Sequence, residues 1–225
     1  MATNAEPATP DRIRRFSVTE RLAHWLLAAT FAVMLFTGLC LYLPSLARVV
    51  ARPTAKAWHV DASIALGVGL VALVIAGNRR ALGRFVREAD RFDADDIAWL
   101  KGGPRRLLDH AGAPPQGRLN AGQKLNTALS LGLMVVLAIT GILLLMGERD
   151  TTYRFAGTVL VHDFASLAIG FLVMGHLYLA AFHPATRHAM RGMVQGDVDR
   201  SWAEQHHATW ARASSDPVQP SATDS

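Results

Sequence analysis

Charged residues are scarce in this sequence, and cysteine is almost missing. Only 18% of the 225 residues are Asp, Glu, Lys or Arg, against 51% hydrophobic, which is too apolar and too segmented for an ordinary soluble domain. With one cysteine, Cys40, no intrachain disulfide can form and the chain cannot ligate an iron–sulfur cluster by itself. The absence of a Cys-x-x-Cys-His element excludes c-type haem attachment as well. No internal repeat stands out, and no pair of interrupted apolar segments marks a transporter midplane. The net charge of +5 has no basic cluster pointing to nucleic acid; it follows from how the arginines are distributed around the apolar runs.

What is present is four long apolar runs, at about 22–43, 58–76, 126–146 and 158–182. Each is close to the roughly 20 residues that cross a bilayer core. Backbone groups in lipid must bond within their own segment, so the runs are read as helices. The expected fold is all-α, an integral membrane four-helix bundle. The first run is longer than the roughly 7–15 apolar residues of a signal peptide. It also carries His24, Trp25 and Gly38, and is therefore read as a retained span.

Lysine and arginine placement gives the orientation. The segment before the first run, the loop at 77–125 and the C-terminal tail together hold eighteen basic residues. The opposite side has five: Arg48, Arg52, Lys56, Arg149 and Arg154. Both termini are therefore expected in the cytoplasm of a bacterial cell, with the chain multi-pass in the inner membrane. Residues 1–13 and 213–225 read as disordered, and 14–212 as one membrane domain. Within the 77–125 loop, residues 93–109 suggest a short amphipathic helix broken at Gly102-Gly103-Pro104. The tail at 187–212 is expected to lie along the membrane surface or against a partner.

Four histidines fall inside or at the ends of the apolar runs: His24, His59, His162 and His176. An ionisable group in a bilayer is costly and usually functional, and neutral imidazole is a common metal ligand. His162 and His176 are fourteen residues apart, a rise of roughly 21 Å and close to four whole turns, so they share one helix face at opposite depths. Depth then pairs His59 with His162 near the outer surface and His24 with His176 near the inner one. Two facing pairs suit two haem b groups, with each iron held by two histidines. Gly38, fourteen residues after His24, gives the outer site backbone clearance. His110, His183, His188, His206 and His207 read as surface positions or propionate contacts. Asp61 and Asp163 read as helix caps or water-facing groups. Asp163, adjacent to His162, is also a candidate for supporting that ligand.

Three stretches carry a resemblance to a known family. RFSVTERLAHWLLAATFAVMLFTGL resembles the opening of the gamma subunit, the membrane cytochrome b, of respiratory formate dehydrogenase. RLNAGQKLNTALSLGLMVVLAITGI is similar to that family's third-helix region, with its Asn-Ala-Gly-Gln-Lys element. RHAMRGMVQGDVDRSWAEQHHATWAR is similar to its cytoplasmic tail.

The resemblance implies a subunit that is not catalytic by itself. A molybdenum or tungsten alpha subunit oxidises formate, and an iron–sulfur beta subunit passes the electrons on. The cytochrome carries them through two b haems to a quinone near the cytoplasmic side. On this basis His59 and His162 match ligands of the haem nearer the iron–sulfur partner, and His24 and His176 those of the haem nearer the quinone. Asn120, Gly122 and Gln123 match the element lining the family's quinone pocket. The same pattern admits the cytochrome b of another respiratory complex, such as a nickel–iron hydrogenase or thiosulfate reductase, or a haem-free membrane anchor.

Overall fold

The computed structural model describes residues 11–108 and 112–214. His110, and most of the termini expected to be disordered, lie outside these residues. The described chain divides into two compact units, one of Ser17–Val86 with Asn126–Leu177 and one of the described residues in Met1–Phe16, Arg87–Leu125 and Tyr178–Ser225.

Four helices are long and apolar enough to cross a membrane: α1 (Val18–Tyr42), α2 (Arg52–Ala76), α6 (Ala121–Arg149), and α7 (Thr158–Leu177) continued by a π turn, Tyr178–Phe182. All begin at or before the expected residue, and in α1 a local cap carries the helix past the apolar run. Ser17 caps α1 in a capping box. Its Oγ accepts from the Glu20 amide at 3.3 Å while Glu20 Oε2 accepts from the Ser17 amide at 2.8 Å. Pro53, whose missing N–H costs nothing in a first turn, opens α2. The last span ends where the His183 amide bonds five residues back to Tyr178 O at 2.9 Å, directly before Pro184.

Along these spans the apolar side chains point outward: Ile64, Val68, Ile139 and Phe171 are all exposed. An apolar surface of this extent is read as lipid-facing. Apart from Ile169, the buried positions along the spans are small or polar, including Thr30, Thr37, Cys40 and Thr140. Each threonine hydroxyl donates to the carbonyl four residues back, at 2.7–2.8 Å, so none is left unpaired in a lipid environment. The most extensive packing between elements is of α1 against α2.

The second unit departs most from expectation. Residues 11–13 are not disordered: β1 (Arg12–Arg14) pairs antiparallel with β2 (Asp197–Asp199), setting Ile13 against Val198. Ile13 is buried with Val198, Trp202, Ala203 and Ala211. The tail therefore folds on its own chain through α8 (Met190–Val194), β2, α9 (Arg200–His206) and α10 (Ala208–Ala213). The 77–125 loop is largely helical, as α3 (Arg79–Asp90), α4 (Ala94–Lys101) and α5 (Arg105–Leu108). The expected break falls between α4 and α5, where Gly103 adopts φ +67°, a conformation that favours glycine.

Candidate haem sites

α7 presents His162 in its second turn and His176 at its end. In the span unit His162 faces His59 of α2, with ring centroids 6.3 Å apart. His176 faces His24 of α1 at 6.1 Å. The structure thus brings together both pairs expected from depth. The separations test whether an iron fits. A metal between two imidazoles, with bonds of about 2 Å and about 1.2 Å from each nitrogen to its ring centre, sets the centroids about 6.4 Å apart. Rings in van der Waals stacking would stand closer, and unrelated rings would have no reason to share this spacing at both ends of one helix. Each spacing fits a metal held between two imidazoles.

At the His59–His162 end the surroundings repeat. Thr37 Oγ1 lies 3.1 Å from His59 Nδ1, and Thr140 Oγ1 lies 2.8 Å from His162 Nδ1. Each hydroxyl already donates its single proton, to Val33 O and Val136 O respectively, both at 2.7 Å. With that proton so placed, its oxygen accepts from the ring, which then carries its own proton on Nδ1. That tautomer leaves Nε2 with the lone pair a metal needs. The next residue is glycine in both cases. A Cβ at Gly38 would stand 3.6 Å from His59 Cε1, and one at Gly141 3.5 Å from His162 Cε1. Both distances are ordinary van der Waals contact, so each glycine brings its helix backbone close against a histidine ring.

A family model described as prokaryotic cytochrome b561 matches residues 15–196. The chain belongs to the prokaryotic cytochrome b561 family. Membership implies haem b as the cofactor, electron transport as the role and an integral membrane setting. Among curated relatives, the formate dehydrogenase cytochrome b556 subunit of Haemophilus influenzae is 28% identical over 219 residues, covering 92% of this chain and 85% of the relative. The formate dehydrogenase cytochrome b556(fdo) subunit of Escherichia coli strain K12 is 26% identical over 211 residues, covering 90% and 93%. The nitrate-inducible cytochrome b556(Fdn) subunit of the same strain is 25% identical over 214 residues, covering 89% and 90%.

Thr37 and Thr140 are the residues that sequence reasoning missed. A signal for them exists: a Thr-Gly step stands 22 residues before His59 and again before His162. It is a two-residue repeat in apolar surroundings, too short to stand out as a repeat. Asp163, read as a cap or water-facing group and also as a candidate support for His162, is not the group on its Nδ1; that group is the Thr140 hydroxyl.

The second unit places Asn120, Gly122 and Gln123 at the start of α6. Asn120 Oδ1 accepts from the Gln123 amide at 2.8 Å, and Gln123 Oε1 accepts from the Asn120 amide at 3.0 Å, a reciprocal cap. Gln123 Oε1 also accepts from Arg15 Nη2 at 3.3 Å. Arg15 is fully buried, donating to Arg118 O at 2.8 Å and to His207 Nε2 at 2.9 Å, with its guanidinium 5.4 Å from the Trp202 ring. Burial, then the nearby Arg118 charge, lowers the Arg15 pKa to about 9. His207 had been expected at the surface. It is instead 1% exposed, with Nδ1 donating to Gly117 O at 2.7 Å. A second polar knot joins Lys124 Nζ to Asp96 Oδ2 at 2.5 Å and to Arg91 O at 2.9 Å.

Proposed function

We propose that the chain is the membrane cytochrome b subunit of a formate dehydrogenase, binding two haems and delivering electrons to a quinone. The observation that carries this reading is the pair of histidine couples, 6.1 and 6.3 Å apart, at the two ends of α7. The formate assignment is supported by the relatives described above, all three of them formate dehydrogenase subunits that match about nine-tenths of the chain. Held by the His59–His162 and His24–His176 pairs, haem b would supply one-electron redox couples between an iron–sulfur partner at the outer end and a quinone at the inner end.

The chain's own groups do the rest. His59, His162, His24 and His176 hold the irons. Helical backbone and lipid-facing side chains exclude water between them, which keeps electrons from side reactions. Asn120 holds the quinone: its carbonyl oxygen is committed to the helix cap, which turns its NH₂ into the donor for a quinone oxygen. Gly122 permits close approach there, and Gln123 fixes Asn120 through the cap. Two electrons and two protons reduce one quinone to quinol. With both termini in the cytoplasm, the protons come from that side, so turnover moves charge across the membrane.

The test is reduction of the bound cytochrome in membranes that hold the whole complex. Formate is expected to produce a reduced b-type spectrum, and an added quinone to reoxidise it. A purified protein with no b-type bands would overturn the haem reading. Reduction by hydrogen or thiosulfate-linked donors, with formate inert, would overturn the formate assignment alone.

A further inference from the structure

We infer that Thr37 and Thr140 are positioning residues that set the electronic character of one haem and leave the other untouched. The inference rests on the haem reading above and goes beyond it. Both hydroxyls meet a ring Nδ1, at 3.1 Å for His59 and 2.8 Å for His162, and both have already given their proton to a backbone carbonyl. A hydroxyl in that state acts on the ring only as an acceptor. It draws the Nδ1 proton outward and enriches Nε2 in electron density, making the imidazole a stronger donor to whatever it ligates. It also fixes the ring's rotation, because an Nδ1–H bond to a buried, immobile oxygen permits one orientation.

Three features argue that this is a device and not a coincidence of packing. It occurs twice, with the same residue type at the same 22-residue separation from the ligand it supports. Thr37 is fully buried and Thr140 nearly so, although a bilayer span gains nothing from a buried hydroxyl that valine would not supply. And it is confined to one end: among the described residues, no hydrogen bond reaches a ring nitrogen of His24 or His176. Both ligands of one iron are strengthened and neither ligand of the other. A stronger donor pair favours the ferric state, so the haem at His59–His162 is held at a lower potential than the same ligands would otherwise give. The lower-potential site would stand at the entry end of the proposed path, which favours transfer from the His59–His162 end toward the His24–His176 end.

The experiment is a redox titration of the complete membrane complex carrying Thr37→Val, Thr140→Val or both, followed through the b-type absorption bands. Valine keeps the shape and removes the acceptor. One of the two haem potentials is expected to rise in each single variant and to rise further in the double, with the other potential unmoved. Thr37→Ser and Thr140→Ser restore the hydroxyl and are expected to return the potential to its parental value. Full haem content with both potentials unchanged in the valine variants would overturn the inference. So would equal movement of both haems, or serine variants that behave as valine does. If a valine variant loses its haem, the serine variant decides: haem retained at the parental potential supports the hydroxyl's role, and haem lost again assigns the effect to the threonine methyl. A parental complex with no b-type bands would instead remove the haem reading on which the inference rests.

Discussion

Single and paired substitution of the four histidines gives a pattern that no other pairing reproduces. His162 and His176 are separated on α7 by a rise of roughly 21 Å, whereas the rings within each pair lie 6.3 and 6.1 Å apart. No ring of one pair can reach across to replace a missing ligand in the other. Each single histidine-to-alanine variant is therefore expected to fall from two haems per chain to one. The paired variants separate the sites. His24→Ala with His176→Ala removes nothing beyond either single change, because both act on one iron, whereas His24→Ala with His59→Ala removes both haems. This is non-additivity for residues acting as a unit, and additivity for distant ones. The assay is haem quantification per mole of purified protein, with reduced-minus-oxidised spectra to identify which haem remains. A His24/His176 double variant devoid of haem, in a protein that still folds, would refute the pairing. So would a His59→Ala protein whose surviving haem is the one that His162→Ala removes.

Three further outcomes follow from the second unit. Asp96→Asn leaves Lys124 buried without its 2.5 Å partner and is expected to cost about 3–5 kcal/mol, read by denaturant unfolding in detergent; adding Lys124→Met recovers most of that loss. Arg15→Lys keeps the charge but loses the planar group that serves Arg118 O, His207 and Gln123, so about 1–3 kcal/mol is lost and the 187–212 segment becomes more open to protease. At Asn120 two variants divide capping from ligand binding. Asn120→Ala costs about 1 kcal/mol through the lost cap, whereas Asn120→Asp keeps the cap and loses the NH₂ donor. Both variants weaken binding of a quinone analogue while haem content stays intact; parental affinity in Asn120→Asp would refute the proposed donor.

The spans were legible because lipid imposes one demand, internally satisfied backbone, and the apolar runs display it over twenty residues at a time. The histidine pairs were legible because a helix converts fourteen residues into a known depth and face. Thr37 and Thr140 were not, since a threonine in an apolar run reads the same whether its oxygen meets a ligand ring or only its own backbone. The fold of the tail was hidden for a different reason. β1 is three residues long and finds its partner near residue 198, and Arg15 meets His207 across 192 positions. Neither periodicity nor local propensity carries information over such a distance. A buried arginine also contradicts the ordinary expectation for that residue. It is buried here because aromatic faces and carbonyl oxygens converge on it from segments far apart in sequence.

The pairing of β1 with β2 also sets an order of events during synthesis. Arg12 leaves the ribosome before any of the four spans, and its partner Asp199 follows 187 positions later. At about 5–20 residues per second the first strand waits roughly 10–40 s for the second. All four spans are made in that interval. The strand pair, and the burial of Ile13 and Arg15 beside it, can close only on a chain whose membrane segments have already been translated. The short two-stranded ribbon thus acts as a latch that fastens last, and a chain stalled before Asp197 would carry all four paired histidines yet leave β1 without a partner.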